Sequence, residues 1–511
     1  MAINQLKAGA ALSYVIIGLN SVVGLVYTPF MLRRLGQSEY GLYALAASVI
    51  AYLTVLDLGF GNAVVRYTAK FRAEGRVREQ EEMFGMFLVL YGVISVVAFA
   101  LGMVLYLNVD GLFSRSMTAA EVDKVRVMLM RLSFNLAFTF PMSIWGSIIT
   151  AYENFVFQRV VSIARIVLNP LVMVVLLLYG YKAVAMVVVT TLFNVATLTV
   201  NWWYCRHRLG VRVRLGRFNG KFLREVTVYS FWIFLNAIMD RIYWSTGQFV
   251  LGVFRGAATV AVYAVAIQLL QMYYSFSTAI SGVFLPKVTA MVAHGATNKE
   301  ISRLFIRTGR VQYVVLSYIY FAFLLFGLPF VRLWAGAGYD GAFYVSAAFF
   351  TVTLVPLVQN LGLTILQARN QMKFRSLWIF GVSVGSLAVS IPASKYFGMA
   401  GCTTATALAV LVGHGIGLNI YYKRKQGLDI GRFWLEIGRM SVAPVLLLLA
   451  GLAVQHYVPV RGIPDFLLGV ICYTAIFGVM SYAFVMNSEE RGLFLQPLRK
   501  VFNYCTKTTR R

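Results

Sequence analysis

The chain has 511 residues, of which 59% are hydrophobic and 13% are charged. An average soluble domain is about 45–50% apolar and about 25% charged, so this composition excludes an ordinary soluble protein and indicates a polytopic membrane protein. The 46 Lys and Arg residues exceed the 19 Asp and Glu residues, for a formal net charge of +27. In a polar chain this excess would suggest a nucleic-acid partner, but here the basic residues separate long apolar runs, and no nucleic-acid partner is expected.

A helix that crosses a bilayer needs about 20 apolar residues, because every backbone group must be bonded within the helix itself. Runs of this length predict an all-α protein with 14 transmembrane helices. The first six are predicted at residues 8–32, 41–64, 83–107, 127–150, 161–179 and 184–204. The next six are predicted at 222–252, 260–285, 311–334, 343–367, 377–393 and 398–422, and the last two at 441–457 and 466–486.

The basic residues also orient the chain. With the N-terminus in the cytoplasm, roughly three quarters of the Lys and Arg residues fall on the cytoplasmic side, as the positive-inside rule requires. Both termini are therefore predicted to be cytoplasmic. The first span is too long for the core of a signal peptide, so we expect it to remain in the mature chain. The predicted external loops are short, which argues against a separate catalytic domain on that side.

The four cysteines and four histidines are scattered along the chain. Their spacing fits neither a disulfide framework nor a zinc site. No Gly-rich loop ends in the Gly-Lys-Ser/Thr sequence that binds nucleotide phosphates. We therefore expect no metal and no cofactor.

A repeat of about 216 to 220 residues relates the first and second sets of six spans. The repeated positions include Gly36 with Gly256, Gly75 with Gly295, Gly180 with Gly398, and residues 43–46 with 263–266. Because six is an even number, the two copies share one orientation, which predicts two six-helix lobes related by a pseudo-twofold axis along the membrane normal. The predicted domains are residues 1–210, residues 211–425, and an appended pair of helices with a basic cytoplasmic tail at 426–511.

Two short motifs carry a family resemblance. The sequence LGQSEYGLY at residues 35–43, followed by DLGFGN at 57–62 and by Arg66, resembles the opening of bacterial polysaccharide-transporter proteins, the oligosaccharide (O-antigen type) flippases. Their superfamily also contains multidrug and toxin extrusion antiporters and the lipid II flippase. The resemblance extends along the chain, since its length and its six-plus-six-plus-two arrangement of spans also match.

This resemblance implies a transporter of the bacterial inner membrane, not an enzyme. Such proteins move undecaprenyl-diphosphate-linked oligosaccharides from the inner to the outer leaflet for the synthesis of cell-surface polysaccharides. The implied partners are the lipid-linked oligosaccharide, the membrane lipids and proteins of polysaccharide assembly. A monomer is expected.

Ionisable residues inside the spans are the first candidates for a site, because a charge at the bilayer centre costs at least about 2.5–3.5 kcal/mol. Arg241 in span 7 can face a cavity and donate to a phosphate, or it can pair with another span. Its neighbour Asp240 is a candidate for coupling or gating. So are Asp57 in span 2 and Arg66, and Asp57 can pair with Arg66 or with an arginine of another span.

Four further residues are candidates for lining the cavity. Asn20 and Asn236 occupy equivalent positions in spans 1 and 7, where hydrogen bonds between helices are the competing explanation. Arg131 and Arg165 are predicted within one to two turns of opposite membrane faces, so that both can also extend toward the interface.

The predicted mechanism is alternating access without covalent chemistry. Pro29, Pro141, Pro170, Pro286 and Pro356, with Gly59 and Gly61, are predicted bend points. The competing functions are a multidrug or organic-cation antiporter, which should have a more acidic cavity, and a lipid II flippase. A membrane polysaccharide polymerase or ligase is disfavoured by the short external loops.

Overall fold

The computed structural model describes residues 5–216, 220–282, 284–369, 371–460 and 462–492. Every regular element in these ranges is helical, as predicted. The first eight helices are α1 (Gln5–Leu53), α2 (Phe60–Ala73), α3 (Val77–Leu107), α4 (Val109–Phe113), α5 (Ala119–Ala151), α6 (Phe155–Leu178), α7 (Ala183–His207) and α8 (Gly220–Arg255). A 3₁₀ turn at Thr54–Asp57 lies between α1 and α2.

The second half of the chain continues in the same way. Its helices are α9 (Ala257–Gly282), α10 (Leu285–Ala293), α11 (Asn298–Trp334), α12 (Asp340–Val358), α13 (Asn360–Ala368), α14 (Met372–Val410), α15 (Asn419–Arg424), α16 (Ile430–Tyr457) and α17 (Ile463–Met480). Two π-helical turns, Leu411–Leu418 and Ser481–Val485, follow α14 and α17.

Eleven helical segments of the described chain are long and apolar enough to cross a membrane, and a bent pair within α8 makes a possible twelfth. Two of the eleven, Val15–Ala73 and Met372–Arg424, have 59 and 53 residues. A straight helix of that length would measure about 80–90 Å, more than twice the roughly 30 Å of a hydrocarbon core. The count of 14 stays a prediction, and it requires both that the bent pair of α8 is one span and that each of the two long segments crosses twice.

The glycines of the predicted repeat share a positive φ angle. Gly36, Gly256, Gly180, Gly398, Gly75 and Gly295 have φ values of 76, 83, 84, 60, 69 and 72°. An L side chain is strained in this left-handed region, so glycine is favoured where the chain must leave a helix in this way. The repeat therefore preserves turn positions, and Gly36 and Gly398 are the points at which α1 and α14 lose helical backbone geometry.

The structure divides into two compact units. One lies within Met1–Gln268 and Lys373–Ala409, and the other within Leu269–Met372 and Val410–Arg511. They are discontinuous in sequence and are called unit 1 and unit 2. The predicted lobes, with boundaries at 210 and 425, stay a prediction.

In unit 1 the LGQSEYGLY motif ties the bend of α1 to the starts of two other helices. Glu39 is buried, forms an ion pair with Lys124 of α5, and accepts a hydrogen bond of 3.3 Å from the backbone N–H of Ala183 at the start of α7. Ser38 donates to Glu121, which also completes the N-terminal cap of α5. A carboxylate at a helix start compensates unpaired N–H groups, so this motif is a structural junction.

The same end of unit 1 contains close backbone contacts. A Cβ atom at Gly41 would overlap the carbonyl oxygen of Ala257, and one at Gly256 would lie 2.6 Å from the carbonyl oxygen of Ser116. The Ser116 hydroxyl donates to the carbonyl oxygen of Gly252 over 2.7 Å. Glycine is required here because backbones approach directly, which joins α1 and the segment before α5 to the α8–α9 turn.

Unit 2 contains α11, α12, α16 and α17. A buried aromatic and leucine core, formed by Phe321, Leu325, Phe326, Leu447, Tyr473 and Phe477, joins α11 to α16 and α17. The guanidinium of Arg310 in α11 donates to both oxygens of Glu490, at 2.6 and 3.0 Å, and to Glu436 at 2.5 Å. This ion cluster attaches the final helices to α11 at one end of the core.

Candidate functional site

The predicted second span is broken in its middle. After the 3₁₀ turn that ends at Asp57, Leu58 and Gly59 adopt φ values of 53 and 74°, and α2 begins at Phe60. Two consecutive left-handed residues interrupt the helix, and the interruption exposes the first N–H groups of α2. The residues of the DLGFGN motif, 57–62, form this break in the helix.

Asp57 occupies the break as a cap. Its carboxylate accepts a hydrogen bond of 2.9 Å from the hydroxyl of Tyr91 in α3 and bonds from the backbone N–H groups of Gly59 and Gly61. Tyr91 is fully buried. Arg66 lies further along α2, exposed, with its guanidinium 5.7 Å from the centre of the Tyr67 ring. The coupling or gating roles of Asp57 and Arg66 stay predictions.

The break in α2 packs on a bend in α8. A Cβ atom at Gly59 would lie 2.9 Å from a methyl carbon of Ile233 and 3.3 Å from the carbonyl oxygen of Ser230. Helix α8 bends by 45° between Gly220–Val228 and Ser230–Arg255. The irregular points of two helices therefore contact each other, and they are natural positions for a hinge.

A polar cluster follows on α8, formed by Asn236, Asp240 and Arg241 with Arg375 of α14. The guanidinium of Arg375 donates to the side-chain oxygen of Asn236 over 2.8 Å. The Asn236 amide donates to the Trp232 carbonyl oxygen at 2.6 Å and to the Ser376 hydroxyl at 3.2 Å. We call these four residues the α8–α14 cluster.

The α8–α14 cluster lies well inside the helical segment that follows the bend. Asp240 is about 15 Å along the helix from Ser230 and about 22 Å from Arg255. It is exposed, and its nearest charges are those of Arg375 and Arg241, both of which are half-buried. Two cations and one carboxylate give the cluster a net charge of about +1.

Arg375 is a candidate that the sequence reasoning missed. The predicted span 11 begins at residue 377, so Arg375 was counted with the basic residues that set the topology. Helix α14 in fact begins at Met372, which brings Arg375 onto the first turn of the helix and beside α8. The cations Arg369 and Lys373 closely precede Arg375, so its local sequence is that of a topology-determining loop and contains no signal that singles it out.

A second polar cluster joins three helices of unit 1. Arg165 of α6 donates to the Asn194 side-chain oxygen of α7 over 3.4 Å. Asn194 in turn donates to Asn135 at 2.8 Å and to Thr139 at 2.7 Å, both on α5. We call Arg165, Asn194, Asn135 and Thr139 the α5–α7 cluster.

Arg165 lies in the middle part of α6. The helix begins at Phe155 and ends at Leu178, so Arg165 is about 15 Å from one end and about 20 Å from the other. Its distance from a membrane face stays a prediction. Among the described residues, no carboxylate forms an ion pair with its guanidinium, and the side chain is half-buried. An unneutralised cation near the centre of an apolar helix is a functional candidate.

The remaining predicted residues lie apart from these contacts. Arg131 is exposed on α5, one turn before Asn135, and Asn20 is exposed on α1. The structure thus joins Asn236 to Arg375 by a hydrogen bond and places Asp240 within the electrostatic influence of Arg375 and Arg241, and it places Arg165 with three uncharged polar side chains. No group of three or more His, Cys, Asp or Glu side chains suited to a metal occurs in the described ranges.

Residues 6–292, more than half of the chain, match the family described as polysaccharide biosynthesis protein. The chain belongs to this family. Two curated relatives extend the likeness beyond the matched range. The chain is 23% identical to the "Uncharacterized membrane protein EpsK" of Bacillus subtilis, over 93% of this chain and 94% of the relative. It is 19% identical to the "Putative O-antigen transporter" of Shigella flexneri, over 75% of this chain and 90% of the relative.

Solved structures show the same fold. The "Lipid II flippase MurJ, inward closed conformation" superposes with a TM-score of 0.69 at 15% identity, covering 96% of this chain and 99% of that chain. An inward-facing multidrug resistance MATE family transporter of the MOP superfamily superposes with a TM-score of 0.60 at 14% identity, covering 80% and 96%. The family resemblance and the all-α transporter fold predicted from the sequence are confirmed. The polysaccharide biosynthesis family member described here is a multi-pass membrane protein.

Proposed function

We propose that this protein flips an undecaprenyl-diphosphate-linked oligosaccharide from the inner to the outer leaflet of the bacterial inner membrane by alternating access. Such a lipid has a diphosphate and a polar glycan, and neither crosses hydrocarbon unaided. The family match and the relative named as an O-antigen transporter support this class of cargo.

One observation in the structure favours an anionic cargo: the surplus of arginine within and at the ends of the apolar helices of unit 1. Arg165, Arg241 and Arg375 lie inside or at the border of apolar helices, and Arg165 has no acidic partner among the described residues. Of the two deep aspartates, Asp57 is already bonded by Tyr91 and backbone N–H groups. A transporter of organic cations would need the opposite balance, whereas guanidinium groups bind phosphate oxygens in bidentate fashion.

The test is flipping by the reconstituted full chain. Wild type, Arg241→Ala and Lys221→Ala are placed in liposomes with a fluorescent undecaprenyl-diphosphate oligosaccharide, and the labelled lipid that reaches the opposite leaflet is measured over time. Lys221 is a matched control because it is an exposed cation at the start of the same helix. We expect wild type and Lys221→Ala to flip at equal rates and Arg241→Ala to be slower by about tenfold, the equivalent of one lost charge-assisted bond.

Three results would contradict the proposal in different ways. Equal flipping by all three proteins would remove Arg241 from the site. Flipping of lipid II but not of other diphosphate-linked glycans would narrow the cargo to a peptidoglycan precursor. Absence of flipping, together with efflux of organic cations driven by a cation gradient, would replace the function by multidrug antiport.

A further inference from the structure

We propose that Arg375 and Arg241 form a diphosphate-binding pair in which Asp240 acts as a competing internal anion that the cargo displaces. This inference rests on the proposed function, because it identifies the groups that hold the diphosphate. It adds Arg375 as a cargo-binding residue and gives Asp240 a role in release.

The position of Arg375 is fixed by uncharged groups. One guanidinium nitrogen, Nη1, donates to Asn236, and the Asn236 amide is itself held by the Trp232 carbonyl oxygen and by the fully buried Ser376. A guanidinium has five N–H donors, and the bond to Asn236 engages one nitrogen. Among the described residues, no carboxylate oxygen lies within the 4.0 Å of an ion pair to Arg375. Arg375 is therefore oriented by Asn236 while most of its donors are left for an anion.

Asp240 lies on the same face of α8 as Asn236, one helical turn further along. It is near enough to Arg375 and to Arg241 for electrostatic attraction, with Arg375 the stronger influence, yet it forms an ion pair with neither in the described structure. The carboxylate is thus the local anion of two guanidinium groups without being bonded to them.

The charges explain why a diphosphate displaces the carboxylate. A carboxylate and a phosphate both accept paired N–H donors from a guanidinium, but the diphosphate has at least twice the negative charge and more acceptor oxygens. When no cargo is present, Asp240 lowers the cost of holding two cations inside an apolar helix bundle. When cargo must leave, the same carboxylate competes for the two arginines and speeds release.

Asp240 therefore lowers the affinity for diphosphate and raises the rate of its release. Removing its charge while keeping its shape, as in Asp240→Asn, increases the net positive charge of the α8–α14 cluster. Diphosphate then binds more tightly and leaves more slowly. Removing the charge of Arg375 has the opposite effect on affinity.

The experiment measures binding of inorganic pyrophosphate and of a short-chain prenyl diphosphate to the purified full chain in detergent by isothermal titration calorimetry. We expect Arg375→Gln to weaken binding of both probes about tenfold and Arg375→Lys to weaken it less, because a point charge replaces a bidentate donor. Asp240→Asn should tighten binding several-fold. Lys373→Gln, an exposed cation of the same helix start, should bind as wild type does. Thermal unfolding of each variant in the same detergent checks that it is folded.

The outcomes separate this inference from the proposed function. Unchanged binding by folded Arg375→Gln would overturn it, as would weaker binding by Asp240→Asn, which would show that the carboxylate only holds the cluster together. Binding of pyrophosphate and prenyl diphosphate that follows these expectations, in a protein that does not flip the lipid-linked oligosaccharide, would support the diphosphate site and contradict the proposed cargo. Flipping of that oligosaccharide at the wild-type rate by Arg375→Gln would leave the function intact and overturn the site.

Discussion

Asp57 and Arg165 are both ionisable residues within apolar helical segments, but their surroundings differ. Asp57 is saturated by a tyrosine hydroxyl and by the N–H groups that the break in span 2 exposes. Arg165 has a hydrogen bond of 3.4 Å to Asn194 and no acidic partner in the described residues. A charge inside a membrane helix is therefore not by itself a sign of transport chemistry, and the satisfied charge is better explained by structure.

The first prediction concerns Asp57. Asp57→Ala removes both the cap of α2 and the acceptor of the buried Tyr91 hydroxyl, and should lower the free energy of unfolding by about 2 kcal/mol. Asn is an equally good cap, so Asp57→Asn should unfold near the wild-type temperature and flip cargo within about twofold of the wild-type rate. Thermal unfolding in detergent and the liposome assay measure both quantities. Tyr91→Phe, which removes only the hydroxyl, is the control and should cost about 1 kcal/mol.

A stable Asp57→Asn protein that no longer flips cargo would contradict this prediction. It would show that the negative charge is needed and would make Asp57 an ion-coupling residue. A loss of stability by Asp57→Asn equal to that of Asp57→Ala would show that capping is not what the carboxylate supplies.

Candidate residues could be predicted from the sequence where an apolar context distinguishes them. Asp240 and Arg241 are charges inside an apolar run, and their surroundings single them out. Arg375 was not predicted because the local sequence around a cation at the start of a span is the same as that around a topology determinant. The role of Tyr91 was not predicted because it is one of 29 tyrosines, and only the fold brings its hydroxyl to Asp57.

Glycine, more than proline, interrupts the long elements. Of the prolines predicted as bend points, those at residues 29, 141, 170 and 356 lie inside helices that continue past them, and Pro286 lies at the start of α10. Non-helical backbone occurs instead at Gly36, at Leu58–Gly59 and at Gly398. The break at Gly59 was predicted, but the direct contact of α2 with the bend of α8 was not, because sequence periodicity contains no information on which helices cross.

The attachment of α16 and α17 to α11 gives a prediction at the scale of elements. Arg310 lies between Glu490, which is 1% exposed, and Glu436. Arg310→Ala leaves a buried carboxylate without its cation and should cost about 3–5 kcal/mol. Glu490→Gln leaves Arg310 still paired with Glu436, so it should cost clearly less, about 1 kcal/mol. Thermal unfolding and the rate of proteolysis within α16 and α17 show which of the two variants is less stable.

The control for this prediction is Arg307→Ala. Arg307 lies on α11, one turn before Arg310. It forms a 3.3 Å ion pair with Glu489, but both side chains are largely exposed. An exposed pair contributes about 0–1 kcal/mol, so this variant should unfold close to wild type. Equal destabilisation by Arg307→Ala and Arg310→Ala would show that burial is not the cause, and a Glu490→Gln protein less stable than Arg310→Ala would contradict the assignment of Arg310 as the central group.

For the molecule as a whole, composition and apolar run length were sufficient to predict an all-helical membrane protein, because those signals are additive along the chain. The prediction of a transporter came from the resemblance of the motifs at residues 35–43 and 57–62. The exact residue at which each helix begins was harder to predict, since the start of a helix depends on capping and packing as well as on hydropathy. Helix α14 begins at Met372, before the predicted start of span 11, which brings Arg375 onto a helix beside α8. Under the proposed function, Arg375 is therefore a candidate for binding an anion and not only one of the basic residues that set the topology.

The proposed anionic cargo leads to a prediction about energy. If the diphosphate moves with its charge, an inside-negative potential favours outward movement by about 2.3 kcal/mol per charge per 100 mV, or about 4.6 kcal/mol for two charges. Liposomes with a potassium diffusion potential set by valinomycin should accumulate the labelled lipid in the leaflet on the positive side. Since the field acts on the cargo, the direction should follow the sign of the potential whichever way the protein is inserted.

Equal potassium on both sides provides the control, because it abolishes the potential and should leave the labelled lipid equally distributed between the leaflets. Accumulation at zero potential that follows an imposed proton or sodium gradient would contradict the prediction, because it would require an ion to bind during the cycle. Asp240 would then be the first residue to test. It is exposed, and it is attracted by Arg375 and Arg241 without forming an ion pair with either in the described structure. Asp240→Asn should abolish that gradient dependence, whereas under a purely electrical driving force it changes only the affinity and the rate.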